Sequence, residues 1–450
     1  MPKLRRWVVF CLVLLLIATA ASAEPYEHPY PEALQISVET EVWQSETHGD
    51  VSVDLPHTAV ESVNRALREA ADALLKQTAA YPDSRADMTA TYRVSGTKWA
   101  GFLLTGRAVA ESRSQSDTFT TENTLALFYQ VLTSDMETGR ALTLSDVFDE
   151  NSSAWPTLTE AAREMLYSYY PDETRDEDAL ERLIAPEALR GASFLPCAGR
   201  LLVPFSLERI LPDHQQIAWL ILPYPDYRPL MRPQAMLQTD NSTRPMIALT
   251  FDDGPTRTYT QKVLSGLARY GAGATFFCVG KAVIKQPDML RREMDFGHTV
   301  AAHSMTHENP WEQSAADMLA EYGAQKQLYQ DVSGLPVTLL RPPGGDLKTY
   351  VTRQVGWPLI RWHKSGSDTG PDYARDVARR VVSAAAHGDI FLMHDTKEKT
   401  ADAVPLILEA LKERGFMFAT VDELLYLNGV TPQPNVAYYD GLGVKTYPSQ

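Results

Sequence analysis

The sequence predicts an α/β protein of two domains, in which a smaller α+β domain precedes a larger one. The chain has 450 residues, 44% of them hydrophobic, which is enough for two domains with buried cores. Strand patterns dominate the first half, whereas strand and helix patterns alternate in the second. A polar stretch with three prolines, residues 228–245, separates the halves and is predicted to be a linker that few contacts cross.

The second domain is predicted to cover residues 246–429, with residues 430–450 as a C-terminal tail. Alternating strands and helices form a parallel sheet whose functional side chains gather at the carboxyl ends of the strands. The predicted strands are 246–251, 274–279, 299–302, 339–341, 359–362, 390–394 and 419–420. The predicted helices are 258–270, 287–294, 318–334, 349–355, 374–386 and 403–414.

The first domain is predicted to cover residues 24–227. Its strand patterns surround two helical patterns, at 58–79 and 155–170, which indicates an α+β domain with an antiparallel sheet. His48, His57 and His214 are scattered without spaced partners, so this half lacks a catalytic set. A structural role is therefore the simpler interpretation.

Residues 1–23 are predicted to be a signal peptide. Lys3, Arg5 and Arg6 precede an apolar run, and small residues at 21–23 provide a cleavage site. The run is shorter than the ~20 residues of a membrane helix, which favours cleavage over a stable membrane span. We therefore expect an exported, extracytoplasmic protein.

Charge and cysteine content exclude two further classes of protein. The formal net charge is −15, and removal of the three leader cations makes it −18, with no basic block to bind nucleic acid. After cleavage only Cys197 and Cys278 remain, one in each domain, which is too few for a disulfide scaffold. Two buried, unpaired thiols are expected, although a bridge between them stays open.

Two motifs at strand ends point to a metal site. In TFDDGP, Asp252 and Asp253 lie where an apolar strand meets a Gly-Pro turn. In HSMTH, the spacing of His303 and His307 places two imidazoles on one face of a single turn. One carboxylate and two imidazoles form a half-open ligand set for a divalent metal, and a second carboxylate can act as general base.

Each fragment alone has a simpler explanation. An Asp-Asp pair is usually a turn former, and the histidine spacing recurs by chance. HSMTH also lacks the glutamate of HExxH, which disfavours a zinc protease. Two more fragments follow in order, RPPGG at 341–345 and FLMHD at 391–395, and the four together are hard to produce by accident.

With these four motifs, residues 245–429 resemble the NodB-homology polysaccharide deacetylases, carbohydrate esterase family 4. The resemblance implies a distorted (β/α) barrel. It implies that Asp252 is the general base and that Asp253, His303 and His307 bind the metal. The implied metal is divalent, with zinc first and cobalt, nickel or manganese as alternatives.

The remaining motifs carry further roles by the same resemblance. Arg341 is expected to hold the base aspartate by a bidentate pair, beside a stiff loop containing Pro343. Gly344 stands where many relatives carry an aromatic residue, and its N–H would face the oxyanion. Leu392 would form the wall of the acetyl pocket.

The resemblance makes His394 the general acid that protonates the leaving amine. Relatives often show a tryptophan followed several residues later by an Asp-Trp pair, in which the aspartate sets the pKa of this histidine. Here Trp362 and Asp368 are present, but Thr369 replaces the second tryptophan. Asp368 can still orient an imidazolium. His363 and Lys364 are alternative groove-lining residues.

The stretch at 127–150, LFYQVLTSDMETGRALTLSDVFDE, resembles the extracytoplasmic domain of RsiV-type anti-sigma factors. The same module precedes the deacetylase in some wall-modifying enzymes. The resemblance implies that the first domain contacts protein or cell wall.

These observations predict an exported, metal-dependent N-deacetylase of an N-acetylated glycan. The leader and the wall-enzyme module favour peptidoglycan as substrate, by analogy. Two alternatives stay open: a glycan-binding or sensing protein with a decayed deacetylase domain, and an O-deacetylase or non-sugar amidase that uses the same centre.

Overall fold

The structure is a computed structural model that describes residues 30–113, 120–150, 152–345, 351 and 353–443. The predicted signal peptide lies outside these residues, as do residues 349, 350 and 352 of the predicted helix 349–355 and the end of the predicted tail. Cys197 and Cys278 are buried and unpaired, which confirms the expected free thiols. The helices of the described residues all fall short, in length or apolar character, of what a bilayer crossing requires.

The first half is built on antiparallel strands. The strands are β1 Ser37–Ser45, β2 Gly49–His57, β3 Arg85–Ser95, β4 Trp99–Arg113, β5 Thr120–Asp135, β6 Arg140–Ala141, β7 Leu195–Pro196, β8 Arg200–Ser206 and β9 Ile217–Pro223. They form a hairpin of β1 and β2, a sheet of order β3-β4-β5-β6 and a sheet of order β7-β8-β9.

Helices cover these sheets, and there are more of them than the two predicted. They are α1 Glu61–Thr78, α2 Leu144–Val147, α3 Ala154–Ser168, α4 Glu177–Ile184, α5 Pro186–Arg190, α6 Tyr224–Tyr227 and α7 Pro233–Gln238. The two predicted helices correspond to α1 and α3. Val63, Leu67, Ala70 and Leu74 of α1 recur at helical spacing, are buried and belong to the core formed with β3 and β4.

The second half is a parallel sheet with helices between successive strands. Its strands are β10 Met246–Asp252, β11 Thr275–Cys278, β12 Thr299–Ala302, β13 Leu359–Ile360, β14 Lys364–Ser365, β15 Ile390–His394, β16 Met417–Phe418 and β17 Ala437–Tyr438. Its helices are α8 Tyr259–Tyr270, α9 Gly280–Lys285, α10 Pro287–Asp295, α11 Ala315–Ser333, α12 Ala374–Ala384, α13 Glu398–Glu413 and α14 Val421–Leu427.

The main sheet has the strand order β12-β11-β10-β15-β14, and β16 also pairs with β10. Parallel bridges continue it from Ala302 to Leu340 and on to Leu359 in β13. The predicted mixed α/β fold is therefore confirmed, whereas closure into a barrel stays a prediction. Asp252 pairs with His394 in the neighbouring strand, so two motif residues meet at one edge of the sheet.

The two halves pack closely, and the expectation that few contacts cross the linker is wrong. Arg107 of β4 donates a 2.8 Å hydrogen bond to Asp295 of α10, with both side chains 2% exposed. Arg200 forms a second ion pair with Asp422 at 2.8 Å. The prolines that suggested a linker include Pro233, which starts helix α7, because proline suits the first turn of a helix.

Replacing Arg107 with alanine should lower the free energy of unfolding by about 3–5 kcal/mol, because it leaves the Asp295 carboxylate buried without its cation. Chemical denaturation measures this change. Arg68→Ala is the matched control, since its ion pair with Glu41 is solvent-exposed and contributes ~0–1 kcal/mol. Equal effects of the two substitutions would contradict the buried interface.

The same contacts determine how a truncated chain is expected to behave. Removal of residues 24–232 would take away Arg107 and Arg200, the cations that pair with Asp295 and Asp422, and would uncover the buried ring of Phe296. We therefore expect the second half alone to fold poorly, rather than to act as an independent enzyme on short substrates.

Candidate metal centre and active site

The two aspartates of the TFDDGP motif diverge at the end of β10. Asp252 is the last residue of the strand and is buried. Asp253 follows with a φ of 78°, a left-handed conformation that is uncommon for a residue with a side chain. This backbone turn directs the two carboxylates to different partners.

His303, His307 and Asp253 converge on one point. The Nε2 atom of His307 lies 3.1 Å from Oδ1 of Asp253, and Nε2 of His303 lies 3.5 Å from the same oxygen. One ligand atom from each of the three residues lies within 4.8 Å of the other two. The histidines are not on a helical turn as the spacing suggested, because His307 itself has a φ of 61° in a loop.

The tautomer of His303 is fixed by the backbone. Its Nδ1 lies 2.6 Å from the carbonyl oxygen of Arg341, which only accepts hydrogen bonds, so Nδ1 carries the proton in the neutral ring. Nε2 then turns a lone pair toward Asp253. This arrangement is the one that metal-binding histidines use.

The surroundings of the Asp253 carboxylate suit a metal ligand. Burial alone raises the pKa of this carboxyl, but the imidazoles of His303 and His307, when protonated, outweigh burial and hold the pKa well below its usual range. Its Oδ1 is buried and, among the described residues, lacks a partner with hydrogen-bond geometry despite the two nearby nitrogens. Electron-pair donors facing one another in this way fit a divalent cation between them.

Asp252 forms a buried ion pair with Arg341. Nη1 of Arg341 donates 2.7 Å hydrogen bonds to Oδ1 of Asp252 and to Oγ1 of Thr250. The expected bidentate pair is absent, because Nε and Nη2 donate to the carbonyl oxygens of Ile360 and Arg361. The other oxygen of Asp252 lies 3.7 Å from Nε2 of His303, so this carboxylate borders the candidate metal centre.

His394 lies on β15, the strand next to Asp252, and is bound by Asp368. Nδ1 of His394 lies 2.8 Å from Oδ1 of Asp368, and the His394 backbone N–H donates to Oδ2. Burial lowers the pKa of His394, but the Asp368 carboxylate outweighs burial, so the pKa lies above its ordinary value. Asp368 also accepts a hydrogen bond from Thr400, a residue that no sequence motif singles out.

The remaining predicted residues lie around this centre. Pro343 and Gly344 form a short turn after Arg341, and Gly344 has a φ of 70° with open space where a side chain would begin. Leu392 lies half-buried on β15. His363 lies away from the site, because its Nδ1 pairs with Asp389 at the opposite end of β15 from His394.

Comparison with known proteins identifies the family. The family model described as polysaccharide deacetylase matches residues 239–357. A peptidoglycan-N-acetylglucosamine deacetylase of Bacillus cereus is 34% identical over 188 residues, which cover 40% of this chain and 88% of that protein. The chain belongs to the polysaccharide deacetylase family. This family consists of hydrolases that act on carbon–nitrogen bonds.

Two longer relatives in the polysaccharide deacetylase family match the same half. The peptidoglycan-N-acetylglucosamine deacetylase PgdA of Listeria monocytogenes is 37% identical over 182 residues, covering 40% of this chain and 39% of the relative. The peptidoglycan-N-acetylmuramic acid deacetylase PdaC of Bacillus subtilis is 30% identical over 187 residues, covering 42% and 40%. The match thus spans about two fifths of these relatives' length.

Proposed function

We propose that this chain is a metal-dependent N-deacetylase that hydrolyses the acetamide of an N-acetylated glycan to acetate and an amino sugar. The observation that carries the proposal is the convergence of Asp253, His303 and His307 beside the buried Asp252 carboxylate. His394 stands on the neighbouring strand. A base, an acid and a metal site therefore border one point at the sheet edge.

Asp253, His303 and His307 would hold the metal. The mixed oxygen and nitrogen ligand set suits zinc first, with cobalt, nickel and manganese as alternatives. When bound, such an ion supplies a Lewis acid that polarises a carbonyl and makes water more acidic.

Asp252 is the proposed general base. Arg341 holds its carboxylate in place, because the guanidinium is fully buried and is itself held by two backbone carbonyls. One oxygen of Asp252 is bound to Arg341, which leaves the other, facing the metal site, free to accept a proton from water.

His394 is the proposed general acid. Asp368 holds Nδ1, so Nε2 is the nitrogen that would donate a proton to the departing amine nitrogen. The Gly344 N–H would donate to the oxygen that gains negative charge, and the open space beside Gly344 admits substrate. Leu392 and Pro343 would line the pocket of the acetyl methyl group.

Peptidoglycan is the proposed substrate because the relatives described above are named as peptidoglycan deacetylases. Action outside the cytoplasm, reached through the predicted signal peptide, agrees with that substrate. A wall-contacting role for the first domain, in line with its RsiV-like stretch, belongs to the same proposal.

One assay tests the proposed function. Acetate release is measured from N-acetylglucosamine oligomers and from purified peptidoglycan, with metal-free protein and after addition of zinc. We expect release that depends on zinc. Absence of release from every glycan, with folded and zinc-loaded protein, would favour the sensing alternative.

Asp368→Asn should move the alkaline limb of the pH–rate profile to lower pH. Asp368 raises the pKa of His394, so a His394 acid stays protonated, and active, to higher pH than an ordinary histidine. Removal of the charge removes that shift, so activity is lost at lower pH as pH rises. The kcat profile of the variant on oligomers checks this, and an unmoved alkaline limb would show that His394 is not the acid.

A further inference from the structure

Two glutamates of the first half stand opposite each other on neighbouring strands. Glu111 of β4 and Glu122 of β5 are partners in the antiparallel register, an arrangement in which like charges destabilise the strand pair. Arg85 of β3 pairs with Glu122 at 3.0 Å, and a second cation comes from the other half of the chain. Nη2 of Arg257 donates to Oε1 of Glu111 and, at 3.3 Å, to Oε1 of Glu122. The two strands therefore form an acceptor for the Arg257 side chain.

Arg257 belongs to the loop that carries the candidate metal ligand Asp253. This loop, residues 253–258 and named the Asp253 loop below, joins the end of β10 to the start of α8. Asp253 adopts a φ of 78°, a conformation that persists only where the surrounding contacts impose it. The contacts that hold the Asp253 loop therefore decide where this ligand stands.

The second half fastens the Asp253 loop to helix α8. The Thr256 N–H donates to Oγ1 of Thr260 at 2.7 Å, and the Thr260 N–H donates to Oγ1 of Thr256 at 3.1 Å. Thr260 lies in the first turn of α8, and its hydroxyl also donates to the buried carboxylate of Asp395. The position of the loop therefore depends on the position of that turn.

Helix α8 is in turn held against the first half. Gln261, in its first turn, accepts a 2.7 Å hydrogen bond from Arg292 of α10. The same guanidinium, in a side chain that is 5% exposed, also donates to Asp87 of β3. Farther along α8, the carbonyl of Ala268 accepts from the hydroxyl of Thr91 at 3.4 Å. Acidic residues of the first half thus hold the start of α8 through Arg292, and hold the preceding loop directly.

We infer that Glu111 and Glu122 are positioning residues for the candidate metal site, which act through Arg257 on the Asp253 loop. The first half then supports the candidate metal centre, besides its proposed contact with the cell wall. The consequence for catalysis rests on the proposed function. The consequence for metal binding does not, because it can be measured without a substrate.

Zinc affinity tests the inference in the full chain, by competition with a chelator of known affinity. We compare Arg257→Gln, a variant with both Glu111→Gln and Glu122→Gln, and the variant that combines all three changes. We expect the first two variants each to bind zinc about 3- to 10-fold more weakly. A salt concentration of ~0.15 M screens the direct effect of the lost charges on the metal.

The combined variant shows whether the glutamates act through Arg257. Independent effects on zinc affinity multiply, whereas residues that act through one another do not. Once Arg257 has been replaced, we expect replacement of the two glutamates to weaken zinc binding little further. Multiplied losses in the combined variant would overturn the inference.

Asp422→Asn is the matched control for the loss of a contact between the halves. Asp422 also pairs with an arginine of the first half, Arg200, at 2.8 Å. It accepts a hydrogen bond from Thr299, the first residue of β12, at the end of the sheet opposite the metal site. We expect this variant to lose stability in chemical denaturation and to keep its zinc affinity. A loss of zinc affinity equal to that of Arg257→Gln would mean that any weakened contact between the halves has the same effect, and would overturn the inference.

Acetate release separates this inference from the proposed function. If the unmodified chain binds zinc but releases no acetate from any glycan, the proposed function fails, while the zinc measurements still decide the inference. If the unmodified chain is active and the variants bind zinc as tightly as it does, only the positioning role is wrong. If the unmodified chain binds no zinc, the candidate metal site and the inference fail together.

Discussion

Replacing His307 with alanine should abolish acetate release and remove most of the bound metal. His307 supplies one of three converging ligands, and its Nε2 lies 3.1 Å from the Asp253 carboxylate. A Lewis acid contributes several kcal/mol to such a reaction, so the expected loss is on the order of 10³-fold or more. The His307 side chain is 44% exposed, so the fold should be retained.

Elemental analysis and acetate assays, made on the same preparations, check this result. His57→Ala is the control, since His57 ends β2 in the first half and lies outside the proposed site. Unchanged metal content together with unchanged activity in His307→Ala would rule out the proposed ligand set.

Asp252→Asn should slow the chemical step by roughly 10²–10⁴-fold, as expected when a general base is lost. The amide has nearly the same shape but does not take a proton from water. It also leaves the Arg341 guanidinium, fully buried, without its counter-charge, so the free energy of unfolding should fall as well.

The zinc content of Asp252→Asn separates this effect from that in His307→Ala. We expect Asp252→Asn to keep its metal, because its own contact is with Arg341 and the three ligands remain. A variant with normal metal content and an undiminished kcat would show that another group takes the proton.

Much of the candidate site was predictable because its residues lie in short motifs that can be recognised in the sequence. Asp252 and His394 each end an apolar strand, and parallel strands bring their carboxyl ends to one edge. The conformation of the loop that carries the candidate metal ligands His303 and His307 was not predictable. Ser304 and His307 both adopt positive φ, which residue type does not favour, so the surrounding structure must impose it.

Most of the other contacts that were not predicted join residues that are far apart in the sequence. Arg341 was expected to use both ends of its guanidinium on Asp252, but two of its donors satisfy backbone carbonyls near β13 that no sequence pattern indicates. The same holds for the pair of Arg107 and Asp295, which are 188 residues apart. Buried charges pair with the residues that the fold places beside them, and no pattern in the intervening sequence predicts the pairing.

In the proposed function, this chain removes acetyl groups from peptidoglycan by means of the candidate metal centre. Mass spectrometry of muropeptides, after purified peptidoglycan has been treated with zinc-loaded protein, tests it most directly. We predict muropeptides that have each lost one acetyl group and gained a free amine, with no change after treatment by His307→Ala. Muropeptides of unchanged mass, after treatment with folded and zinc-loaded protein, would contradict the account.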